Sequence, residues 1–315
     1  SLDETSQSDI FKIGKDFSKN LPIYEVKENL SFISKSDKIR VGFITPYFDG
    51  NAIDGFLFSV LKNLDKKNFE IIGFNLNQSN NNSDHLKNYF NEWYHVNKFT
   101  DIDLINFIKK KQINILIDLV GHGPGNKLSI FKNRVAPIQI CWLGYVNTTG
   151  LNEMDYLITD PYLIKENEHI LYSEKIIHLP KIWNSHEKLD EKLEIKIPCE
   201  TNNFITFGSF NNFRKISLNV INVWSEILLE SDSKLLLKSS MNNSKELRDK
   251  LLNKFPTSLL KNNKIILVEG QRDKRDHLNM YHKIDIGLDT FPYTGVTTSF
   301  EAIWMGVPII TLKGH

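Results

Sequence analysis

The chain has 315 residues and a mass of 36.5 kDa, a length that favours two domains. Its 39 basic and 38 acidic residues leave a net charge of +1, so there is no global basic field to attract nucleic acid or an anionic membrane. Hydrophobic residues make up 41% and charged residues 24%, which is typical of folded chains and excludes wholesale disorder.

The two cysteines, Cys141 and Cys199, lie far apart and lack the spacing of a zinc site. Neither a disulfide framework nor a bound metal is therefore expected. No apolar run reaches the length that crosses a bilayer, and the N-terminus lacks the basic and apolar regions of a signal peptide. These features predict a cytoplasmic protein with neither membrane nor nucleic acid as a partner. A start at Ser1 and an end at LKGH indicate a piece of a longer chain.

Residues 1–37 are polar with scattered apolar positions, and we predict a linker or the end of an upstream module there. From residue 38 onward, short apolar runs alternate with segments of helical periodicity. Strands that are apolar on both faces and alternate with helices are typical of a parallel sheet. The predicted strands are 38–45, 69–75, 113–120, 137–144 and 155–159, and the predicted helices are 54–64, 84–93 (capped by Ser83 or Asp84) and 101–111.

A charged, irregular stretch at residues 181–203 interrupts this alternation, and we place the domain boundary near residue 190. The pattern then restarts, with predicted strands at 204–210, 234–238, 265–268, 285–288 and 307–312 and helices at 217–230, 245–254, 273–282 and 297–305. The sequence thus predicts two doubly wound, Rossmann-like α/β lobes, residues 38–190 and 191–315, that face a cleft. Ligands of such sheets bind beyond the carboxyl ends of the strands.

Two common nucleotide-binding patterns are missing. The first strand is followed by GFITPYFDGN rather than GxGxxG, and no GxxxxGK[ST] occurs, so a dinucleotide dehydrogenase and a P-loop enzyme lose their main support. Asp101 and Asp103 form a DxD pattern that could bind a metal. Its place at a predicted helix start favours a capping role, because acidic side chains are stabilised in the first helical turn.

Three loops at predicted strand ends carry residues suited to chemistry. The first, GHGPGN at residues 121–126, offers close approach through its glycines and an imidazole, His122, that could transfer a proton. The spacing alone fits a turn with a surface histidine equally well. The second, GSFNNFRK at 208–215, ends on Lys215 just before a helix, where an ammonium and free amides could meet a phosphate. An ordinary solvated lysine is the simpler interpretation.

The third loop, residues 289–301, again joins a strand to a helix through a glycine-containing turn. Thr297 and Thr298 would offer hydroxyls and backbone amides at the helix N-terminus, and Glu301 could accept hydrogen bonds from a ribose. Thr298 and Glu301 also have the three-residue offset of a capping box, and the two roles do not exclude each other.

Three segments resemble the catalytic region of the protein O-linked N-acetylglucosamine transferases and their SPINDLY-type relatives. They are WLGYVNTTGLNEMDYLITD (142–160), FGSFNNFRKIS (207–217) and LDTFPYTGVTTSFEAIWMGVPIITL (288–312). The resemblance runs from about residue 38 to residue 315 and also includes GHGPGNKL and YSEK. It implies an inverting, two-lobed GT-B glycosyltransferase, usually preceded by tetratricopeptide repeats, with acceptor binding in the first lobe and the nucleotide sugar in the second.

The resemblance also implies roles for single residues. Lys215 would contact the donor diphosphate, Asn212 would lie in the site, and Thr297 and Thr298 would hold the phosphates. At the nucleoside end, Glu301 would bind the ribose, while Lys274 and His277 form a Lys-x-x-His pair whose histidine packs on the base. No metal or other cofactor is implied.

The sequence departs from the family pattern at three points. Where the family's first loop has an Asp and a His close to the reacting sugar, this chain has Tyr47 and Asn51. Because an amide does not exchange protons near neutral pH, His122 becomes the nearest alternative base. Val296 replaces a residue that is polar in some members. The family also continues beyond residue 315 with helices that complete the second lobe, so this chain is expected to be incomplete at its C-terminus.

The resemblance implies a hexosyltransferase that moves a sugar, first of all GlcNAc from UDP-GlcNAc, to Ser or Thr hydroxyls of a protein or peptide. Alternatives are a GDP-fucose-dependent O-fucosyltransferase of SPINDLY type and a transferase of UDP-glucose to Asn. A catalytically weak nucleotide-sugar-binding fragment is a third, motivated by Asn51. Two-lobed sugar-nucleotide 2-epimerases share the architecture but not the WLGY and FNN segments.

Overall fold

The computed structural model describes residues 5–25, 37–48, 52–77, 84–186, 195–271 and 273–313. The chain divides into two compact units, residues 5–187 and residues 188–315. Each unit is built on one parallel sheet with helices between most consecutive strands, so the predicted α/β class is confirmed. In the described part of the chain, no helix combines the length and apolarity needed to cross a membrane.

The N-terminal unit contains a seven-stranded sheet in the order β3-β2-β1-β4-β5-β6-β7. The strands are β1 (Ile39–Thr45), β2 (Phe69–Asn75), β3 (Glu92–His95), β4 (Ile115–Asp118), β5 (Ile138–Cys141), β6 (Tyr156–Thr159) and β7 (Lys175–His178). The helices are α1 (Gln7–Lys19), α2 (Ala52–Asn63), α3 (Asp84–Lys87), α4 (Asp101–Lys110) and α5 (Leu128–Phe131), with a 3₁₀ helix at Glu166–Leu171. The last five residues of β1 and of β2 are buried, as expected for central strands covered on both faces.

The C-terminal unit contains a five-stranded sheet in the order β10-β9-β8-β11-β12. The strands are β8 (Ile205–Ser209), β9 (Ser233–Ser239), β10 (Ile265–Glu269), β11 (Ile286–Leu288) and β12 (Ile309–Ile310). The helices are α6 (Cys199–Asn202), α7 (Leu218–Glu230), α8 (Lys245–Leu252), α9 (Thr257–Lys261), α10 (Lys274–Asn279) and α11 (Thr297–Trp304). Short 3₁₀ helices lie at Phe213–Lys215, Ser240–Asn243 and Met280–Lys283.

Side chains of β9 supply both cores of the C-terminal unit. Leu235 and Leu237 belong to the core formed with α7, whereas Leu236 belongs to the core formed with α10 and α11. This alternation follows from the two-residue period of a strand. It places the next residue of even number, Lys238, on the face that carries α10 and α11.

In both sheets, the order of the strands reverses at a central strand. The order proceeds outward from β1 through β2 on one side and from β4 on the other, and β8 with β11 repeats this arrangement in the second unit. Such switch points leave a crevice beyond the carboxyl ends of the two neighbouring strands. In the C-terminal unit, the loops that leave this point are 210–217 after β8 and 289–296 after β11.

The predicted helix over residues 84–93 is wrong in its second half. Helix α3 ends at Lys87, and Glu92–His95 forms the edge strand β3, paired in parallel with β2. The aromatic pair Trp93 and Tyr94 favours extended backbone, and the Trp93 ring lies 4.8 Å from that of Phe48 and 4.9 Å from that of Phe90. Of the two predicted caps, Ser83 lies outside the described residues.

The segment predicted as a linker contains a docked helix. Helix α1 begins at a capping box formed by Ser6 and Asp9. Lys15 Nζ donates to Asn152 Oδ1 at 2.6 Å, and the Phe17 ring lies 4.8 Å from the ring of His122. Within residues 1–37, predicted as a linker or the end of an upstream module, Gln7–Lys19 is thus a helix that packs against the N-terminal unit.

Candidate active site

The loop after β8 is held by two consecutive asparagines. Asn211 is buried; its Nδ2 donates to Asp289 Oδ1 at 3.1 Å, and its Oδ1 accepts from Thr298 Oγ1 at 3.2 Å. Asn212 is exposed, and its side chain accepts from the backbone N–H of Arg214 at 3.0 Å. The predicted site residue Asn212 thus caps its own 3₁₀ turn, and its neighbour Asn211 makes the contacts to the second loop.

Lys215 ends this turn with its ammonium beside the loop that precedes α11. Its Nζ donates to the carbonyl oxygen of Thr294 at 2.8 Å and lies 4.4 Å from the centroid of the Tyr293 ring. Burial lowers the pKa of Lys215, and the nearby Asp289 carboxylate opposes that shift. A partly buried ammonium so placed would gain from a second, negatively charged partner.

Asp289 joins the elements around Lys215, although sequence reasoning gave it no role. Its carboxylate is 8% exposed and accepts from the N–H groups of Thr290 and Gly295, at 2.9 and 2.7 Å. It also accepts from the Asn211 amide at 3.1 Å and from the Thr311 hydroxyl at 3.0 Å. The available signal was an acidic residue directly after the predicted strand 285–288.

The start of α11 has no side-chain cap. Val296 is the N-cap residue, and its side chain forms no cap hydrogen bond. The capping-box interpretation of Thr298 and Glu301 is therefore wrong: the Thr298 hydroxyl donates to Asn211, and Glu301 accepts from other side chains. Thr297 occupies the first helical position, where backbone N–H groups lack intrahelical partners and favour an anion.

His277 of α10 contacts Glu301, which lies one turn after Thr298 in α11. The imidazole Nε2 lies 2.8 Å from Glu301 Oε2, and the Tyr281 hydroxyl donates to the same oxygen at 3.1 Å. Burial alone would raise the pKa of Glu301, but the hydrogen bonds from His277 and Tyr281 and the nearby Lys238 charge lower it. Burial and, to a smaller extent, the negative charge of Glu301 raise the pKa of Tyr281 well above its ordinary value.

Lys274, the predicted partner of His277, does not join this group. It is exposed at the first position of α10 and forms neither a hydrogen bond nor an ion pair with any described residue. Lys238 of β9 contacts His277 Nδ1 in its place. The signal that sequence reasoning missed was a lysine directly after the apolar run LLL of β9, because a lysine is rarely buried without a partner.

Hydrogen bonds thus connect four of the predicted nucleotide residues, Lys215, Thr298, His277 and Glu301, through one series of contacts. Asn212, Thr297 and Lys274 form no described hydrogen bond within it. Lys215 donates to the Thr294 carbonyl, and the neighbouring Gly295 donates to Asp289. Asp289 accepts from Asn211, which in turn accepts from the Thr298 hydroxyl. The Tyr281 hydroxyl lies within hydrogen-bond distance of Thr298 O and of Glu301, and Glu301 also contacts His277. One end offers an ammonium and an uncapped helix start, and the other an imidazole and a carboxylate. The family resemblance predicts contacts to the diphosphate at the first end and to the ribose and base at the second.

His122 belongs to the N-terminal unit and is half-buried. Its Nε2 lies 2.9 Å from the carbonyl oxygen of Thr149, and since a carbonyl only accepts, Nε2 carries the proton. The ring packs edge-on against Phe17 and Tyr145, and burial lowers the pKa of His122. The remaining nitrogen, Nδ1, is thus the basic one.

Two further sequence predictions concern the N-terminal unit. The Tyr47 hydroxyl donates to the carbonyl oxygen of Pro124 at 2.7 Å and so joins the first loop to the glycine-rich loop. Asn51 lies outside the described residues. Asp101 accepts from Lys127 at 2.6 Å and Thr100 caps α4, so the DxD pattern has structural partners. Among the described residues, no group of three or more His, Cys, Asp or Glu side chains could hold a metal.

The sequence profile of glycosyl transferase family 41 matches residues 19–201 and 196–315. The chain belongs to this family. This confirms the resemblance stated from the motifs.

Curated relatives include a probable UDP-N-acetylglucosamine–peptide N-acetylglucosaminyltransferase SPINDLY from Petunia hybrida. It is 31% identical over 284 residues, which cover 88% of this chain and 30% of the relative. The SPINDLY protein of Eustoma exaltatum is 37% identical over 224 residues, covering 70% of this chain and 24% of the relative. The chain therefore spans less than a third of the length of these curated relatives.

Among solved structures, an O-GlcNAc transferase mutant from Thermobaculum terrenum matches with a TM-score of 0.84 and 26% identity, over 99% of this chain and 60% of that one. Anabaena HepE in complex with UDP matches with a TM-score of 0.52 and 9% identity, over 86% of this chain and 80% of that one. The second likeness concerns the fold alone. Together they confirm the predicted GT-B type of α/β fold.

Proposed function

We propose that this chain is a catalytic region of an inverting glycosyltransferase that moves a sugar from a nucleotide sugar to a Ser or Thr hydroxyl of a protein. The observation that carries the proposal is the Lys215 ammonium beside the loop that leads into the uncapped start of α11. The family membership supports the reaction class. The names of the SPINDLY relatives and of the Thermobaculum protein favour UDP-GlcNAc as donor.

In the proposed reaction, the acceptor oxygen attacks the anomeric carbon as the bond from that carbon to the diphosphate oxygen breaks. The electron pair of the broken bond leaves with the diphosphate, and the configuration of the sugar inverts. Lys215 and the amides of Thr297 and Thr298 would stabilise that developing charge, the type of contact whose loss costs about 3–4 kcal/mol. We assign the acceptor proton to Nδ1 of His122, the nitrogen that the contact to Thr149 leaves basic.

The nucleoside would bind at the other end of this series of contacts. Glu301 makes both of its described hydrogen bonds through Oε2, so Oε1 is the atom proposed to accept from a ribose hydroxyl. His277 would pack on the base. These contacts suit any nucleoside diphosphate, and GDP-fucose is therefore the second donor to test. Lys274, exposed and without a described partner, is proposed only as a peripheral contact.

The first test of this function measures released nucleotide. The protein is incubated with UDP-GlcNAc or with GDP-fucose, with and without a Ser/Thr-rich protein acceptor, and free UDP or GDP is quantified. We expect acceptor-dependent release of UDP, together with a mass increase of the acceptor by one N-acetylhexosamine. GDP release from GDP-fucose would establish the alternative donor, and binding without acceptor-dependent release of either nucleotide would contradict a transferase.

A further inference from the structure

A buried lysine lies at the carboxyl end of β9 in the C-terminal unit. Lys238 is only 4% exposed, and its Nζ lies 5.0 Å from the centroid of the Phe210 ring. A lysine is almost never this deeply buried without a specific partner. Because successive side chains of β9 point to opposite faces of the sheet, Leu236 and Lys238 share the face covered by α10 and α11.

The partner of Lys238 is the imidazole of His277. Lys238 Nζ contacts Nδ1, while Nε2 lies 2.8 Å from Glu301 Oε2. An ammonium only donates, so Nδ1 must accept and carries no proton. A carboxylate only accepts, so Nε2 must carry one. The two contacts together select a neutral imidazole in the Nε2–H tautomer.

Without Lys238, the same environment would favour a charged ring. A carboxylate 2.8 Å from an imidazole stabilises the imidazolium form. The ammonium opposes this in two ways, because it occupies the lone pair on Nδ1 and because its like charge repels a second cation. Burial lowers the pKa of Lys238 to about 8, and Glu301 opposes that shift, so the amine is still mostly protonated at pH 7.

We propose that Lys238 is a positioning residue that keeps His277 neutral and holds its ring for a nucleoside. The inference rests on the proposed function for its ligand, a nucleoside diphosphate, but its chemical claim concerns the protein alone. It also replaces the pairing expected from the Lys-x-x-His spacing, since the lysine that contacts the histidine comes from a neighbouring strand.

Among the described residues, the charged and titratable groups that face the ring are consistent with this assignment. Lys238 approaches from β9, Glu301 from α11 and Tyr281 from the 3₁₀ helix Met280–Lys283. The other charged side chains of the first turn of α10 and its cap are exposed, and solvent screens them: Asp273, Lys274, Arg275 and Asp276.

The protonation of His277 can be read directly from the ¹⁵N NMR signals of its ring, assigned with His277→Gln. At pH 7, the wild-type chain should show one protonated and one unprotonated nitrogen, with the proton on Nε2. Lys238→Met should increase the fraction with both nitrogens protonated, whereas Lys238→Arg should restore the wild-type pattern. Lys234→Met is the matched control, because Lys234 lies on the same strand over the ring of Phe204, at 4.5 Å, without a described histidine contact.

Two outcomes would overturn the proposal. One is a wild-type ring with protons on both nitrogens at pH 7, which would place the shared proton on the imidazole rather than on Lys238. The other is a folded Lys238→Met variant whose His277 signals equal those of the wild type. The wild-type spectrum decides the first point even if the Met variant fails to fold.

Calorimetric titration with UDP and with GDP then tests the consequence for binding. For whichever nucleotide the wild type binds, Lys238→Met should weaken affinity about tenfold, as for one lost hydrogen bond to a charged group. Lys234→Met should leave the affinity unchanged. Equal affinity in Lys238→Met and the wild type would contradict a role in nucleotide binding. Failure of the wild type to bind either nucleotide would refute the proposed function, and the NMR spectrum would still decide the role of Lys238.

Discussion

The half-buried ammonium of Lys215 forms its described hydrogen bond with a carbonyl oxygen, and the Asp289 carboxylate acts on it only through its charge. Its ammonium has a carbonyl and an aromatic face as immediate partners, and burial lowers its pKa. Neither partner carries a full negative charge, so part of the cost of removing the ammonium from water remains uncompensated. A diphosphate at this position would compensate it, and we therefore expect Lys215 to contribute more to binding than to folding.

In the N-terminal unit, burial likewise disfavours the charged form of the Asp118 carboxyl group. It is fully buried at the end of β4, accepts from the N–H groups of Val120 and Gly121, and thereby holds the start of the loop that carries His122. Burial raises the pKa of this carboxyl from 3.8 to about 7. Between these values the folded state binds more protons than the unfolded state, so the contribution of Asp118 to stability falls as pH rises.

We predict that Asp118→Asn removes this pH dependence. The free energy of unfolding is measured by urea denaturation between pH 4 and 7, and its value in the variant minus that in the wild type should increase as pH rises. Each unit of pKa shift corresponds to about 1.4 kcal/mol, so the difference in slope is measurable. Parallel stability curves for the two proteins would contradict the raised pKa of Asp118.

At the scale of elements, the geometry of the site depends on how closely the loop after β11 passes over the start of α11. A Cβ on Gly295 would lie 2.6 Å from Thr298 Oγ1 and 2.8 Å from Ser299 Oγ, so a larger residue here would force these hydroxyls or the loop to move. The Gly295 N–H also donates to Asp289. The glycine thus allows the loop and the helix start to approach each other.

We predict that Gly295→Ala weakens nucleotide binding at least tenfold and lowers the free energy of unfolding by about 1–3 kcal/mol, the usual cost of overpacking. Calorimetry and chemical denaturation measure the two effects. Gly287→Ala in β11 is the matched control, because the nearest atom to its added Cβ would be Ile309 Cγ1 at 3.3 Å. A Gly295→Ala variant that binds as well as the control would show that this close approach is dispensable.

The elements that the sequence predicted well are those with strong periodicity or both faces buried, such as β1, β2 and α7. Errors arose where two signals competed. Residues 84–93 begin with helix-favouring residues, but the aromatic pair Trp93 and Tyr94 pairs with β2 instead. In α1, the spacing of Ile10, Ile13 and Phe17 was visible, but the polar composition of the segment outweighed it. The docking of α1 depends on contacts to Asn152 and His122, which only the tertiary structure brings near.

At the scale of the whole molecule, the two parallel sheets and their order follow from the repeated strand–helix pattern. That pattern also placed Lys215, Thr297 and Thr298 in or directly after the loops at the carboxyl ends of strands, with Glu301 one helical turn further on. The role expected for His277 came from the family resemblance alone. The roles of Asp289, Asn211 and Lys238 were not predictable from spacing, because each depends on a hydrogen bond to a residue between 39 and 87 positions away in the sequence. Such pairings are set by the fold and not by local sequence.

The measurement that tests the central claim most directly is a calorimetric titration of wild type, Lys215→Met and Lys234→Met with UDP and GDP. The Met side chain keeps the apolar stem of lysine and removes the charge. We predict that the wild type binds at least one nucleotide, that Lys215→Met weakens its binding about 10- to 100-fold, and that Lys234→Met, at the opposite end of its strand from the site, binds like the wild type. Equal affinity for all three proteins, with unchanged melting temperatures, would contradict a diphosphate site at Lys215.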